Sequence, residues 1–521
     1  MINVLRSIFI KRENIFLLLI LTLASFLRLF RLSDYMTFLG DEGRDVLIVK
    51  HILEGDFTLL GPRSSAADFY YGPIYYYLIT PFLWIFRFDP VGPAVFIALV
   101  GIATVYLVYH VGREWFGVRG GLVASALYAV SPLVLTYSRS SWNPNPLPFV
   151  TLLAFFLLYK GVRKDKWWRF FLVGLLLGIG LQLQYLALFV GVIIFIYTLV
   201  GTLFFQHTRK LYFLIKRYFW EGSGFLVGFS PFLAFEILHG FPNSRTIFNY
   251  IFGKYSQNIS DYKPFGYQVG YAFLKLFGRL LTRFPNIDFA AIQDDFLLQI
   301  WFLATITLGI LLYFFVIKIK DKDVKILLSI WGILGVVLFG FYHKEIYDYY
   351  LGFLFPLPFL LLGNLASISF NTKSLFIKGS VGFLCIVLFL ANLAGMPFTK
   401  EPNKQKEQVK KIVEFVISKT DNKPFNFALI TPGNSDHAYR YYFEILGRKP
   451  VEIENMIKDP QRKTVTDQLI VVCEDVSCSP LGHPLFEVAG FGRAEIAGEW
   501  DVSVVKVFKL VHYQDNNSKS R

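Results

Sequence analysis

Residues 40–45 read Gly-Asp-Glu-Gly-Arg-Asp, so two adjacent carboxylates, Asp41 and Glu42, stand directly after the apolar run Tyr35–Leu39 and just before Arg44. Acidic side chains at the edge of an apolar block cost free energy unless they are solvated or paired, so they tend to mark function. Asp41 and Glu42 are therefore the candidate catalytic groups. The same residues also suit a solvated helix start, with Asp41 as cap and Glu42 beside the helix dipole. Three further segments mix aromatic rings with polar groups: Tyr70–Tyr77, Tyr137–Pro146 and Tyr342–Tyr350. Sugars are bound by stacking on rings together with directional hydrogen bonds, and a lipid phosphate calls for Arg or Lys near the headgroups. The candidate substrate-binding residues are Arg44, Tyr71, Tyr75, Arg139, Trp142, Asn143, Gln184, Lys344 and Tyr349. Each aromatic cluster taken alone also suits an interfacial belt, and His343 and Lys344 suit headgroup contacts. No spacing resembles a zinc site, and no cofactor is expected.

The elements that position these residues follow from composition. Of 521 residues, 54% are hydrophobic, with a mean hydropathy of +0.48, and the apolar residues fall in blocks near 20 residues long. That length crosses roughly 30 Å of hydrocarbon as a helix. The formal charge is +14. Its Lys and Arg lie mostly in short loops between apolar blocks, the pattern of cytoplasmic loops, so the charge is assigned to the membrane and not to nucleic acid.

Eleven spanning helices are expected, at about 15–32, 91–110, 118–136, 146–160, 169–186, 187–205, 219–238, 296–317, 324–341, 350–367 and 375–396. The first follows Lys11 and Arg12 and is too long for a signal-peptide core. Basic loops place the N-terminus inside. Outside then lie 33–90, 137–148, 239–295, 341–350 and everything after Met396. Gly72–Phe88 is expected as a juxtamembrane or re-entrant helix on the outer face. The stretch 169–205 is expected to break near Gln182–Tyr185. A sequon, Asn258-Ile259-Ser260, is too common a pattern to carry weight.

The fold class expected is an all-α polytopic membrane domain over 1–396, with a small soluble exoplasmic α/β domain over 397–521. The soluble domain should hold helices at 404–420 and 436–446 and strands at 425–431, 468–473 and 502–510. Pro432-Gly433-Asn434 reads as a turn before a helix that Ser435 could cap, with a phosphate cradle as the other reading. Cys473 and Cys478 fall in this domain, where a disulfide stays open. Cys385 reads as a packed core residue.

The pattern resembles the membrane-embedded GT-C glycosyltransferases of the protein O-mannosyltransferase and lipid A aminoarabinose transferase group. The match runs over roughly 15–365. It begins with Asp41-Glu42 and Arg44, then Phe57–Pro62, Gly72-Pro73-Ile74-Tyr75-Tyr76-Tyr77-Leu78 and Gly112–Gly117. It continues with Tyr137-Ser138-Arg139, Trp142-Asn143-Pro144, Tyr349-Tyr350 and Pro356-Leu357-Pro358. Where that group often has Glu-Lys or His before a double proline, this chain has Tyr70-Tyr71-Gly72-Pro73. Asn143 or Asn145 stands where many members have an aspartate. The resemblance implies that Asp41 is the acid–base or positioning carboxylate, that Glu42 helps hold acceptor or sugar, and that Arg44 and Arg139 lie near a carrier phosphate. It implies an inverting transfer from a polyprenyl-phosphate sugar to an acceptor hydroxyl on a protein, lipid or glycan, with Asp41 as general base and no metal. The competing readings are a transporter or flippase for a lipid-linked sugar, and a membrane-anchored binding or scaffold protein. Transport calls for polar residues in mid-helix, whereas Gln182, Gln184 and Glu236 are expected near helix ends.

Overall fold

The computed structural model describes residues 12–64, 68–205, 208–252, 263–286, 289–475 and 478–514; the sequon at 258–260 lies outside them. The chain forms two compact units. One comprises residues up to Leu32, Phe57–Leu78 and Ala94–Glu401. The other comprises Ser33–Asp56, Ile79–Pro93 and Pro402 onward.

The first unit is a helix bundle. Among the described residues, five helices are long and apolar enough to cross a membrane: Val91–Phe116, Ala187–Phe204, Phe296–Val316, Lys322–Phe341 and Leu375–Leu393. Two bent pairs bring the number to seven if each counts as one span. Lys210–Gly228 meets Ser230–His239 at 70°, and Asp348–Leu354 meets Pro356–Phe370 at 48°. Both bends fall at a proline, which cannot donate to the helix before it. The eleven expected spans are thus not all regular ones. The Arg12–Leu29 helix carries Arg12, Glu13 and Arg28, and Leu147–Lys164 ends on Arg163 and Lys164. The expected 118–136 helix stops at Val130 and restarts at Pro132. Trp167–Leu183 and Ala187–Phe205 flank the break expected near Gln182–Tyr185. Ile74–Ile85 is a 12-residue helix with Pro81 inside it, about 18 Å long and too short to span.

Packing inside the bundle relies on close backbone approach. A Cβ on Gly174 would lie 1.8 Å from the Glu221 carbonyl oxygen, and one on Gly224 would lie 1.8 Å from that of Phe171. Helices Trp167–Leu183 and Lys210–Gly228 therefore meet through glycines, the device that replaces the hydrophobic effect between helices in lipid. Glu221, near the start of the expected 219–238 span, lies inside Lys210–Gly228, buried, and accepts from the Thr198 hydroxyl at 2.7 Å.

The second unit carries a four-stranded sheet: β1 (Asn426–Ile430), β2 (Gln468–Cys473), β3 (Ala494–Val502) and β4 (Val505–His512), in the order β1-β2-β4-β3. β1 and β2 pair in parallel, and the other pairs are antiparallel. β1 and β2 are buried throughout, as continuous apolar runs dictate. Cys473 and Cys478 are joined by a disulfide. Helices Gln405–Ser418, His437–Ile445 and Gly40–Leu53 belong to the same unit. The cap of His437–Ile445 is Asp436 in place of the expected Ser435, whose hydroxyl instead meets His437 Nδ1 at 2.7 Å.

Replacing Gly224 by Leu inserts a side chain where a backbone carbonyl sits, an overpacking that costs at least about 1–3 kcal/mol. Purified G224L is expected to unfold several degrees below the wild type in detergent, measured by thermal denaturation; an unchanged midpoint contradicts the packing.

Candidate active site

In the second unit, Gly40–Leu53 is the carboxylate helix. Its first turn holds Asp41 and Glu42 and its last holds Lys50 and His51, matching the negative and positive ends the helix dipole favours. Val46, Val49 and Ile52 recur at helical spacing and are buried. Arg44 ties two carboxylates together: Nη1 donates to Asp41 at 2.8 Å, and Nε and Nη2 donate to Asp45 at 3.0 and 2.8 Å. The two acids of the adjacent pair face different media. The Asp41 side chain is 54% exposed, whereas Glu42 is 6% exposed and accepts the Leu39 N–H at 3.1 Å. Burial pushes the Glu42 carboxyl from its ordinary 4.5 up to about 7. Hydrogen bonds from the backbone N–H groups of Leu39 and of Glu42 itself oppose the shift, and the charges of Asp41 and Asp45 add to it. Further along, burial alone would raise Glu444, but hydrogen bonds from His51, Lys449 and Lys50 bring it down to about 2.

In the first unit, the segment Phe341–Tyr350 organises two groups. At one, Tyr71 donates to Gln184 Oε1 at 3.2 Å and stacks on Tyr185, with ring centroids 6.2 Å apart. Tyr185 reaches the Tyr342 hydroxyl at 3.0 Å. At the other, Trp142 packs edge-on to Tyr349 at 4.4 Å. Beside Tyr349, Asp348 accepts from Lys275 at 2.7 Å and from Arg279 at 2.5 Å. Lys275 and Asp348 are buried, and the Lys275 ammonium also reaches Asn286 at 2.7 Å. This cluster sets two cations around one buried carboxylate, with the charge of Glu345 also felt at Lys275. Lys275 and Arg279 were not among the expected site residues, because 239–295 reads as one long loop. Their i, i+4 spacing within the apolar run 274–281 was the available signal. Their turn is of π type, Leu280 N–H donating to the Lys275 carbonyl, a geometry frequent at functional sites.

Other expected ligands are engaged in the scaffold. Arg139 is buried and donates to the carbonyls of Leu27 at 2.7 Å and Phe30 at 2.8 Å, at the end of the first helix. The Asn143 amide donates to the Leu183 carbonyl at 2.6 Å. The Tyr75 hydroxyl meets Ser141 Oγ at 2.8 Å. Lys344 is exposed, and its carbonyl accepts from Gln268. The first unit thus gathers Tyr71 with Gln184, and Trp142 with Tyr349, among the expected residues. The second holds Asp41, Glu42 and Arg44.

A family model, the dolichyl-phosphate-mannose-protein mannosyltransferases, matches residues 71–235. A putative mannosyltransferase of Bacillus subtilis, YkcB, is 36% identical over 81 residues, which is 15% of this chain and 11% of that protein's length. The fold is shared with ArnT from Cupriavidus metallidurans, solved bound to undecaprenyl phosphate, at TM-score 0.61 and 14% identity over 95% of this chain and 97% of that one. It is also shared with the Archaeoglobus fulgidus oligosaccharyltransferase AglB, solved with an inhibitory peptide and a dolichol-phosphate. There the TM-score is 0.51 and the identity 13%, over 88% of this chain and 69% of that one. The structural matches show a fold shared with these membrane glycosyltransferases, and the family match places the mannosyltransferase-like part at residues 71–235.

Between pH 4.5 and 7 the folded chain keeps the Glu42 proton that the unfolded chain has lost. Stability therefore falls as pH rises through that window and levels off above it, by on the order of 3 kcal/mol. Thermal midpoints of wild-type and E42Q protein at pH 5 and pH 7.5 check this: the wild type should drop more than E42Q, and equal drops contradict it.

Proposed function

We propose that the chain transfers a sugar from a polyprenyl-phosphate donor to an acceptor hydroxyl on the outer face of the membrane, with inversion at the anomeric carbon and Asp41 as general base. The observation that carries this reading is the division of the acidic pair: Asp41 reaches solvent beside Arg44, while Glu42 turns inward and holds the helix start. The family match and the lipid phosphates bound by ArnT and AglB support the donor class.

In the proposed step the acceptor oxygen forms a bond to the anomeric carbon. The bond from that carbon to the donor phosphate oxygen breaks, and its electron pair leaves on polyprenyl phosphate. The hydroxyl proton passes to Asp41, assistance worth typically about 10²–10⁴-fold. Charge grows on the leaving phosphate, which favours fixed cations over solvent. Within the first unit, taken by itself, Lys275 and Arg279 are cations of the kind a phosphate binds. In the same unit Trp142 and Tyr349 pack together, ring faces of the kind that sugars and isoprene units stack on. The leaving group carries one phosphate, which fixed cations can neutralise, so the step is written without a metal.

A flippase is disfavoured by how the bundle uses its polar groups. Gln182 donates to the Gly228 carbonyl at 2.6 Å, and Glu221 accepts from Thr198. These are internal bonds and do not line a path.

Two variants test the reading. Asp41→Asn, inserted and folded as the wild type, should transfer radiolabelled sugar from a polyprenyl-phosphate donor at least about 10²-fold more slowly; a normal rate removes the base. Arg279→Gln leaves the Lys275–Asp348 pair intact but removes a charge-assisted donor worth about 1.5–3 kcal/mol. Donor KM should rise tenfold or more; an unchanged KM takes the phosphate away from this cluster.

A further inference from the structure

The carboxylate helix lacks a cap of its own. The residue preceding it is Leu39, whose side chain cannot accept a hydrogen bond, yet the first N–H groups of a helix need partners. The structure supplies one of them, that of Gly40, from distant sequence within the same unit, and ties Phe38, just ahead of the helix, in the same way. Phe38 N–H donates to Gln405 Oε1 at 3.0 Å, and Gly40 N–H donates to Asn434 Oδ1 at 2.8 Å, 394 residues away. Leu39 N–H is served locally by the Glu42 carboxylate, which also takes its own backbone N–H.

Asn434 is itself held. Its Oδ1 also accepts the Ser435 N–H at 2.8 Å, and its Nδ2 donates to both oxygens of Glu474 at 3.2 Å. A carboxylate only accepts, so Glu474 fixes which end of the amide faces Gly40. Glu474 is anchored in turn by the Thr431 hydroxyl and the Tyr439 hydroxyl, each at 2.8 Å. It follows directly on Cys473, the last residue of β2. The approach is close enough to demand glycine. A Cβ on Gly40 would lie 2.0 Å from Ser435 Oγ, and one on Gly43 would lie 2.3 Å from the Ala438 nitrogen. Gly40 and Gly43 bracket Asp41 and Glu42 in the sequence. The cap is also neutral. An aspartate there would set a like charge beside Asp41, whereas the amide satisfies the N–H without one.

We propose that Asn434, oriented by Glu474, is a positioning residue: its amide oxygen fixes the first turn of the carboxylate helix and thereby the direction of the Asp41 carboxylate. The proposal rests on the assignment of Asp41 as base. Reacting groups must be held to within a fraction of an ångström, and a misplacement of about 1 Å costs on the order of 10²-fold. The turn after β1 thus acts as a splint for a catalytic group lying about four hundred residues earlier in the chain.

The experiment compares kcat, donor KM and thermal midpoint for the full-length wild type, N434A, N434D, E474Q, N434D/E474Q and D41N. N434A should lose tenfold or more in kcat with donor KM within about twofold. N434D should lose activity because two carboxylates then face each other, and E474Q because the Asn434 amide is no longer oriented. The double variant exchanges the two groups, so that an amide at position 474 again donates to an acceptor at position 434, and it should recover part of the kcat lost in N434D, short of the wild type because the aspartate keeps a charge beside Asp41. A merely structural role would lower the midpoint and the yield of active protein without the kcat-against-KM split. If N434A does not accumulate in folded form, the N434D and N434D/E474Q pair reads the same coupling. Normal kcat in N434A, or no recovery in the double variant, with D41N inactive, overturns the positioning role and leaves the base in place. A fully active D41N overturns both.

Discussion

Hydrocarbon offers no hydrogen bonds, so each polar group inside a membrane bundle must find its partner within the protein. That constraint governs how this chain spends its polar side chains. The helices of the first unit break at Ser131-Pro132, at Gln184 and at Phe355-Pro356, and breaks leave carbonyl groups without helical donors. Polar side chains meet the exposed backbone. Arg139 covers the end of the first helix, Asn143 serves Leu183, and Gln182 serves Gly228. Asn392 serves Leu281 in the same way, at 2.8 Å. Residues whose types suggest ligand binding are thus consumed by folding.

What is left over is informative for that reason. Arg44 holds Asp41 without burying it, so an anionic oxygen stays at the surface of a rigid helix. Lys275 and Arg279 share the Asp348 carboxylate, with the Lys275 ammonium over the Tyr271 ring. One group is an exposed anion and the other a buried cluster of cations around a carboxylate, and each is built within its own unit. Glycines set the close contacts in both units: Gly174 and Gly224 between bundle helices, and Gly40 and Gly43 where the carboxylate helix meets the turn after β1.

The sequence was legible where a single physical signal dominates. Long apolar blocks and their flanking charges placed most bundle helices, and Gln182–Tyr185 marked a real break. The buried strands β1 and β2 stood out as continuous apolar runs. β3 did not, because Ala494–Val502 is a largely exposed edge strand with Glu495, Gly498, Glu499 and Asp501 among its residues. Fewer than the eleven expected spans meet the length and composition of a crossing as single regular helices, because prolines break some apolar stretches, Arg12–Leu29 and Leu147–Lys164 carry charges, and Trp167–Leu183 is short. Asp41, Glu42 and Arg44 were visible as charges beside an apolar run. Lys275, Arg279 and Asp348 were not, since two lie in an apolar helix within a presumed loop and the third lies 69 residues or more beyond them. The partners of Gly40 could not be read from sequence at all, because a cap contributed from 394 residues away leaves no local pattern.

The central claim is a single displacement assisted by one carboxylate, and the product's stereochemistry reports on it directly. Purified protein would be supplied with a polyprenyl-phosphate sugar of known anomeric configuration and an acceptor alcohol, and the product examined by the one-bond carbon–hydrogen coupling at the anomeric carbon. The account predicts one sugar transferred per polyprenyl phosphate released, with the configuration inverted. A retained configuration would require a second displacement that Asp41 alone does not provide, and would contradict it.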